Sequence, residues 1–318
     1  MHLRNNNRGK WHTLSGERSE ITKPNGHTQS IKLLKIKRLG EGKHAIAFKL
    51  QYIHVSNNDS IENKHIDTIN TCVKKEFKSS ASCEITKQNE ITMLTKMEYY
   101  TGSTIIKNST HCIFMPYFGK DFNTLDIYKL NINDIFNILL NSAKALLKLK
   151  NKGIVHGDIK PANIFFNKKT GAVSLSDFDC SSLSEDDRSV RGTVAFWTPE
   201  MFNAAIDGQN VPHTFSTDLG SLGITLAKLL GITEYNERRF IIPNGEEPIK
   251  HLISNGIPDE AASEIVDLLR KTIAPNRQTT ELFYQKTHAM EVKYSSPSYE
   301  SKLFGAKVDG NNTSLTFR

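Results

Sequence analysis

Apolar positions along this 318-residue chain change their period near its middle, and the change divides the sequence into two blocks. From Leu33 the text alternates: Ile36 and Leu39 precede Ile46, Phe48, Leu50 and Tyr52, which predicts two strands joined by a Gly-containing turn. A polar excursion over Ser56 to Asp67 follows, and then a strand over Ile69 to Phe77. Ile85, Ile91, Leu94 and Met97 predict a helix over Cys83 to Met97, with Ser82 as its cap. Thr104 to Ile106 and Cys112 to Tyr117 read as two more strands. The first block therefore has five strands and one helix.

After Tyr117 the period becomes 3.6. Phe136, Leu139, Leu140, Ala143, Leu146 and Leu147 form one apolar face of a helix over Asp134 to Lys150, closed by Gly153. Further helices are predicted at Pro199 to Ala205, Thr217 to Leu230 and Asp259 to Lys271, so the second block is mainly helical. Residues 1–30 show no apolar period, carry the turn signal Pro24-Asn25-Gly26 and read as a disordered arm. From about Gln285 to Arg318 periodicity is lost again, which predicts a polar tail.

The net charge of +7 is concentrated at the front. Residues 1–50 hold eleven Lys/Arg against three Asp/Glu, so the other 268 residues sit near −1. A basic arm on a neutral body predicts a solvated, flexible segment rather than a nucleic-acid groove, with contact to acidic surfaces as the lesser alternative. The N-terminus lacks an apolar signal core, and no stretch has the length needed to span a bilayer, so a cytoplasmic setting is expected. Cys72, Cys83, Cys112 and Cys180 have no C-x-x-C spacing and read as free thiols.

Candidate chemistry lies just past the long helix. The run His156-Gly157-Asp158-Ile159-Lys160-Pro161-Ala162-Asn163, followed by Ser176-Asp177-Phe178-Asp179, groups a carboxylate able to accept a hydroxyl proton, a lysine able to neutralise phosphate, and an amide and a carboxylate of the kind Mg²⁺ takes. This pattern resembles the catalytic loop and metal-binding segment of eukaryotic-type protein kinases. Gly40-Glu41-Gly42 sits between two predicted strands, where that family places its phosphate-covering loop, with Ala45 at the third glycine's position. Gly192-Thr193, Thr198-Pro199-Glu200, Asp218 and Arg277 are similar to its later markers, and the resemblance spans roughly Leu33 to Phe283.

The resemblance implies an α+β bilobal kinase-like fold over residues 31–284, with a five-stranded antiparallel N-lobe (31–116) and a mainly α-helical C-lobe (117–284). It implies an ATP- and Mg²⁺-dependent serine/threonine kinase acting on a protein substrate; a nucleotide-binding scaffold without catalysis is the second reading. Asp158 is implied as catalytic base, Lys160 as its phosphate-facing neighbour, and Asn163 and Asp177 as metal ligands. Gly40, Gly42, Ala47, Met115 and Tyr117 are implied to contact the nucleotide. Lys74 and Lys75 are adjacent in a strand, so only one can point into the cleft. The family register, with Cys72 two residues earlier, selects Lys74, paired with Glu90; Glu84 is the alternative partner. Glu200 and Arg277 are implied to form a buried ion pair.

Two letters depart from the family. Gly157 stands where Arg is usual, which implies activity without activation-loop phosphorylation, and Asp179 stands where Gly is usual, adding a carboxylate beside the metal ligand. The Gly before the catalytic Asp and the Asn/Lys/Ile-rich text also resemble bacterial effector kinases, for which the compartment would be a host cytoplasm.

Overall fold

The computed structural model describes residues 10–295 apart from 15–16, 43, 56–68, 79–80, 107–109 and 186–189. The expected polar excursion at Ser56 to Asp67 and the last part of the expected tail lie outside the described residues. Two compact units are present, one made of Met1–Phe118 with Asp177–Ser181, the other of Gly119–Ser176 with Ser182–Arg318.

The first unit is built on antiparallel strands β1 (His12–Thr13), β2 (Arg18–Thr22), β3 (Thr28–Glu41), β4 (Ala45–His54) and β5 (Asn70–Phe77), helix α1 (Ala81–Lys96), and strands β6 (Gly102–Ile106) and β7 (Thr110–Pro116). The five strands from β3 onward and the helix match the predicted block. Residues 10–30 do not match the predicted disorder. There β1 pairs with β3, and β2 lies between β3 and β6, in register with Ile21 opposite Gln29 and with Thr22 opposite Ser103. Because β3 also pairs with β4, the order β2-β3-β4-β5-β7-β6 returns to β2 and closes a ring of six strands.

Ring closure has a chemical reason. Ile21 joins Ile31, Phe48, Leu50, Cys72 and Phe114 in one buried cluster, and each such side chain contributes about 1.5–3 kcal/mol by leaving water. Gly102 admits the extra strand: its φ is +150°, and a Cβ there would meet Ile21 and lie 2.7 Å from the Thr22 carbonyl oxygen. Within the segment read as an arm, β2 is thus the strand that covers this cluster.

The second unit contains β8 (Lys120–Asp121), α2 (Ile132–Asn151), β9 (Ile164–Asn167), β10 (Ala172–Leu175), α3 (Pro199–Ile206), α4 (Phe215–Leu229), the hairpin β11 (Glu234–Asn236) and β12 (Arg239–Ile241), α5 (Glu247–Ser254), α6 (Asp259–Ile273) and α7 (Thr280–Tyr294). α2 begins with a reciprocal cap, Asn131 accepting from the Asp134 amide while Asp134 accepts from the Asn131 amide. Its apolar face buries Phe136, Leu139, Ala143 and Leu146. The boundary expected at residue 284 is corrected, because α7 continues to Tyr294, whose ring is buried and stacks on Phe136 at 5.0 Å between centroids. None of the described helices is long and apolar enough to cross a membrane.

Candidate functional site

In the first unit, β3 and β4 form a tight hairpin around Gly40 and Gly42. The Gly42 amide donates to the Ala45 carbonyl at 2.8 Å, and Lys78 closes the turn, donating to the Gly42 carbonyl at 3.0 Å and pairing with Glu41 at 2.8 Å. Ala47 stands opposite Gly40 on one side and opposite Lys75 on the other. Two ladders therefore fix the loop relative to β5.

The lysine of this site is Lys75, not Lys74. Lys75 Nζ lies 2.6 Å from Glu90 Oε2 and 2.8 Å from Asp177 Oδ1. Lys74 instead pairs with Glu76 at 2.5 Å. The cause is strand parity: Lys74 shares its face with Cys72, which is buried with Phe48, Leu50 and Phe114, so Lys75 is the residue turned toward α1. The expectation that one lysine only reaches the helix carboxylate holds, but the register was one residue off. Glu90 is fully buried in α1 and is the partner; Glu84 lies in the same helix, and its side chain is outside the described residues.

Burial pushes Glu90 above the ordinary carboxylate range, to about 7, against the pull of Lys75; the charges of Asp177 and Asp179 push the same way. For Lys75, burial opposes the charge, yet Glu90 and Asp177 together raise its pKa and keep it an ammonium. Asn89, which sequence reasoning missed, donates from one amide group to the carbonyls of Phe178 (3.2 Å) and Ser181 (3.1 Å). It pins the turn in which Asp177 adopts a left-handed backbone, φ +70°. Its position one residue before Glu90 was the available signal. Met115 is buried in β7 opposite Val73, and Tyr117 lies beneath Lys49, whose Nζ sits 3.4 Å from the ring centroid.

In the second unit the loop after α2 gathers Asp158, Lys160 and Asn163. Lys160 Nζ donates to Asp158 Oδ2 at 2.6 Å and to Thr193 Oγ1 at 2.9 Å. Asn163 Nδ2 donates to the Asp158 carbonyl at 2.9 Å and to Oδ2 at 3.3 Å. Asp158 Oδ1 is buried and has no hydrogen-bond partner among the described residues.

A buried support holds this loop. Asp218, in the first turn of α4, accepts the His156 amide at 2.6 Å and the Gly157 amide at 2.9 Å, and burial raises its pKa against the pull of His156 and of those two amides. His156 Nε2 meets the Ser176 carbonyl at 3.2 Å. The ion pair implied for Glu200 and Arg277 is formed at 2.7 Å, with Arg277 also donating to Ser216 and to the Thr272 carbonyl.

Comparison with known proteins decides the family. Residues 33–281 match the protein kinase domain. The chain belongs to the protein kinase family. Its kinase domain is 30% identical over 177 residues to mitogen-activated protein kinase kinase 5 of Leishmania mexicana, covering 49% of this chain and 31% of that protein. It is 29% identical over 225 residues to serine/threonine-protein kinase pakH of Dictyostelium discoideum, covering 66% of this chain and 40% of that one. Serine/threonine-protein kinase ISR1 of Saccharomyces cerevisiae is 30% identical over 142 residues, 40% of this chain and 31% of the relative. The chain thus spans less than half the length of these curated relatives. The two-lobed α+β kinase fold is shared, and ATP with a divalent metal is a general feature of the family.

Proposed function

We propose that this protein is a serine/threonine kinase, transferring the γ-phosphate of ATP to a hydroxyl of a protein substrate. The observation that carries the reading is the state of Asp158: one carboxylate oxygen is held by Lys160 and Asn163, while the other is buried and unpartnered. A buried acceptor left unpaired costs about 1–3 kcal/mol, and a substrate hydroxyl is the donor that would relieve it.

In this reading Asp158 Oδ1 orients the acceptor hydroxyl and takes its proton as the hydroxyl oxygen bonds to the γ-phosphorus and the bond to the β-phosphate oxygen breaks, leaving ADP. Lys160 offsets the charge of the transferred group. Lys75, fixed by Glu90, binds the nucleotide phosphates, and Gly40 and Gly42 let backbone amides approach them. Asn163 and Asp177 each carry a donor of the type that Mg²⁺ takes. Asn163 spends its amide hydrogens on Asp158, so its carbonyl oxygen is the end left to act as a ligand, and Asp177 adds a carboxylate; both are hard oxygen donors. Bound Mg²⁺ would neutralise phosphate charge.

A protein substrate is favoured by the surface after Thr193, where Val194, Trp197, Phe202, Ile206 and Arg238 line an apolar depression of about 560 Å³. Serine/threonine preference is supported by Lys160 and by the names of the relatives.

The test is transfer of labelled γ-phosphate to a generic protein acceptor, followed by phosphoamino-acid analysis. Label in phosphoserine and phosphothreonine is expected. Label confined to phosphotyrosine would overturn the specificity, and nucleotide binding without transfer would leave a scaffold.

A further inference from the structure

Gly192 and Thr193 meet the catalytic loop directly, and Arg191 meets Ser182, which bridges to Val155 just before that loop; Arg191 has no role in the chemistry above. Arg191 Nη2 donates to Ser182 Oγ at 2.9 Å. Ser182 exchanges both backbone hydrogen bonds with Val155, each 2.9 Å, immediately before His156. Gly192 has φ +84°, and a Cβ there would overlap the Gly157 carbonyl oxygen and lie 3.5 Å from Asp158 Oδ1. The two stretches thus pack backbone against backbone, which a side chain at 192 would prevent. Thr193 then accepts from Lys160, which itself holds Asp158. Burial raises the pKa of the nearby Asp218 carboxylate, and Arg191 is the weakest of the groups that pull it back down.

We propose that Arg191 is a positioning residue, its guanidinium anchored on Ser182 so that residues 191–193 are fixed on the catalytic loop without any phosphate group. A charge-assisted hydrogen bond to Ser182 holds the strand-like bridge to Val155, immediately before the loop that carries Asp158. Removing the guanidinium leaves that bridge without its side-chain support, so the loop that follows it loosens. The inference rests on the phosphotransfer reading for its kinetic consequences but not for its geometry.

The test uses the full chain with Arg191→Met, Arg191→Lys and Ser182→Ala, read by kcat, by KM for ATP, and by amide hydrogen exchange of peptides containing Val155 and Ser182. Arg191→Met is expected to lower kcat about tenfold or more with KM for ATP within about twofold, and Arg191→Lys to recover at least about a third of the rate. Exchange at Val155 and Ser182 quickens in Arg191→Met, and Ser182→Ala gives a smaller loss of about threefold. Phosphatase treatment leaves the wild-type rate unchanged. The proposal is overturned by an Arg191→Met variant with wild-type kcat, by Arg191→Lys no better than Arg191→Met, by unchanged exchange, or by inactivation with phosphatase. If the wild type transfers no phosphate, the kinase reading fails, while the exchange measurement still judges the anchor on its own.

Discussion

Lys75 turns toward α1 to meet Glu90 at 2.6 Å, while its neighbour Lys74 turns to the opposite face of β5 and meets Glu76. Two identical side chains, one peptide apart, therefore have different fates. Removing one partner of a buried pair costs about 3–5 kcal/mol. Lys75→Met is expected to lower the melting temperature and to abolish stabilisation by Mg-ATP, whereas Lys74→Met keeps that stabilisation. Thermal melts with and without nucleotide check this; equal behaviour of the two variants would contradict it.

The state of Glu90 makes a pH prediction. Its folded pKa, raised to about 7 from 4.5 by burial, means the folded state holds a proton that the unfolded chain has lost. This group's contribution to stability is therefore fully present below about pH 4.5 and is lost as pH rises through about 7. In the proposed phosphotransfer the expected dependence runs the other way, because Lys75 is to be held by the carboxylate form of Glu90. Phosphotransfer should rise with pH through about 7, and Asp179→Gly, which removes one of the charges acting on Glu90, should shift that rise to lower pH. A rise unchanged in Asp179→Gly would show that Asp179 does not act on Glu90.

Gly102 lets β2 close the ring. Gly102→Ala places a Cβ against Ile21 and the Thr22 carbonyl, and overpacking of this kind costs about 1–3 kcal/mol. Urea unfolding should show a lower midpoint, and deletion of residues through Thr22 should do at least as much by uncovering Ile31 and Phe114. An unchanged midpoint in both would mean that the strand is dispensable.

Tyr294 is the residue that makes α7 longer than periodicity suggested. Tyr294→Ala removes the ring stacked on Phe136, and loss of a buried aromatic costs about 3–5 kcal/mol. Ending the chain after residue 284 should destabilise the second unit by at least as much, measured by calorimetry.

Elements with strong local signals could be read from the chain: α2 combines a 3.6 period with its Asn131–Asp134 cap, and fixed offsets put Asp158, Lys160 and Asn163 in one loop. β2 could not, because of Arg18-Ser19-Glu20-Ile21-Thr22 only Ile21 is buried, and apart from Ile31 the cluster it joins comes from residues 48–114. The parity of Lys74 and Lys75 depends on which face packs against α1, and Cys72 and Val73 put an apolar residue on each face of β5. The β11–β12 hairpin escaped notice because Glu234–Asn236 is exposed throughout and carries no alternation. The end of α7 was recoverable: Phe283, Thr287, Met290 and Tyr294 are buried at intervals of four, three and four.

The most direct test of the central claim is the initial rate of phosphate transfer by wild type and Asp158→Asn, with nucleotide affinity measured on the same samples. The account predicts a fall of about 10²- to 10⁴-fold in rate with affinity unchanged, the size expected for loss of a positioned base. Equal rates from the two proteins, or no transfer by a wild type that binds nucleotide, would contradict it.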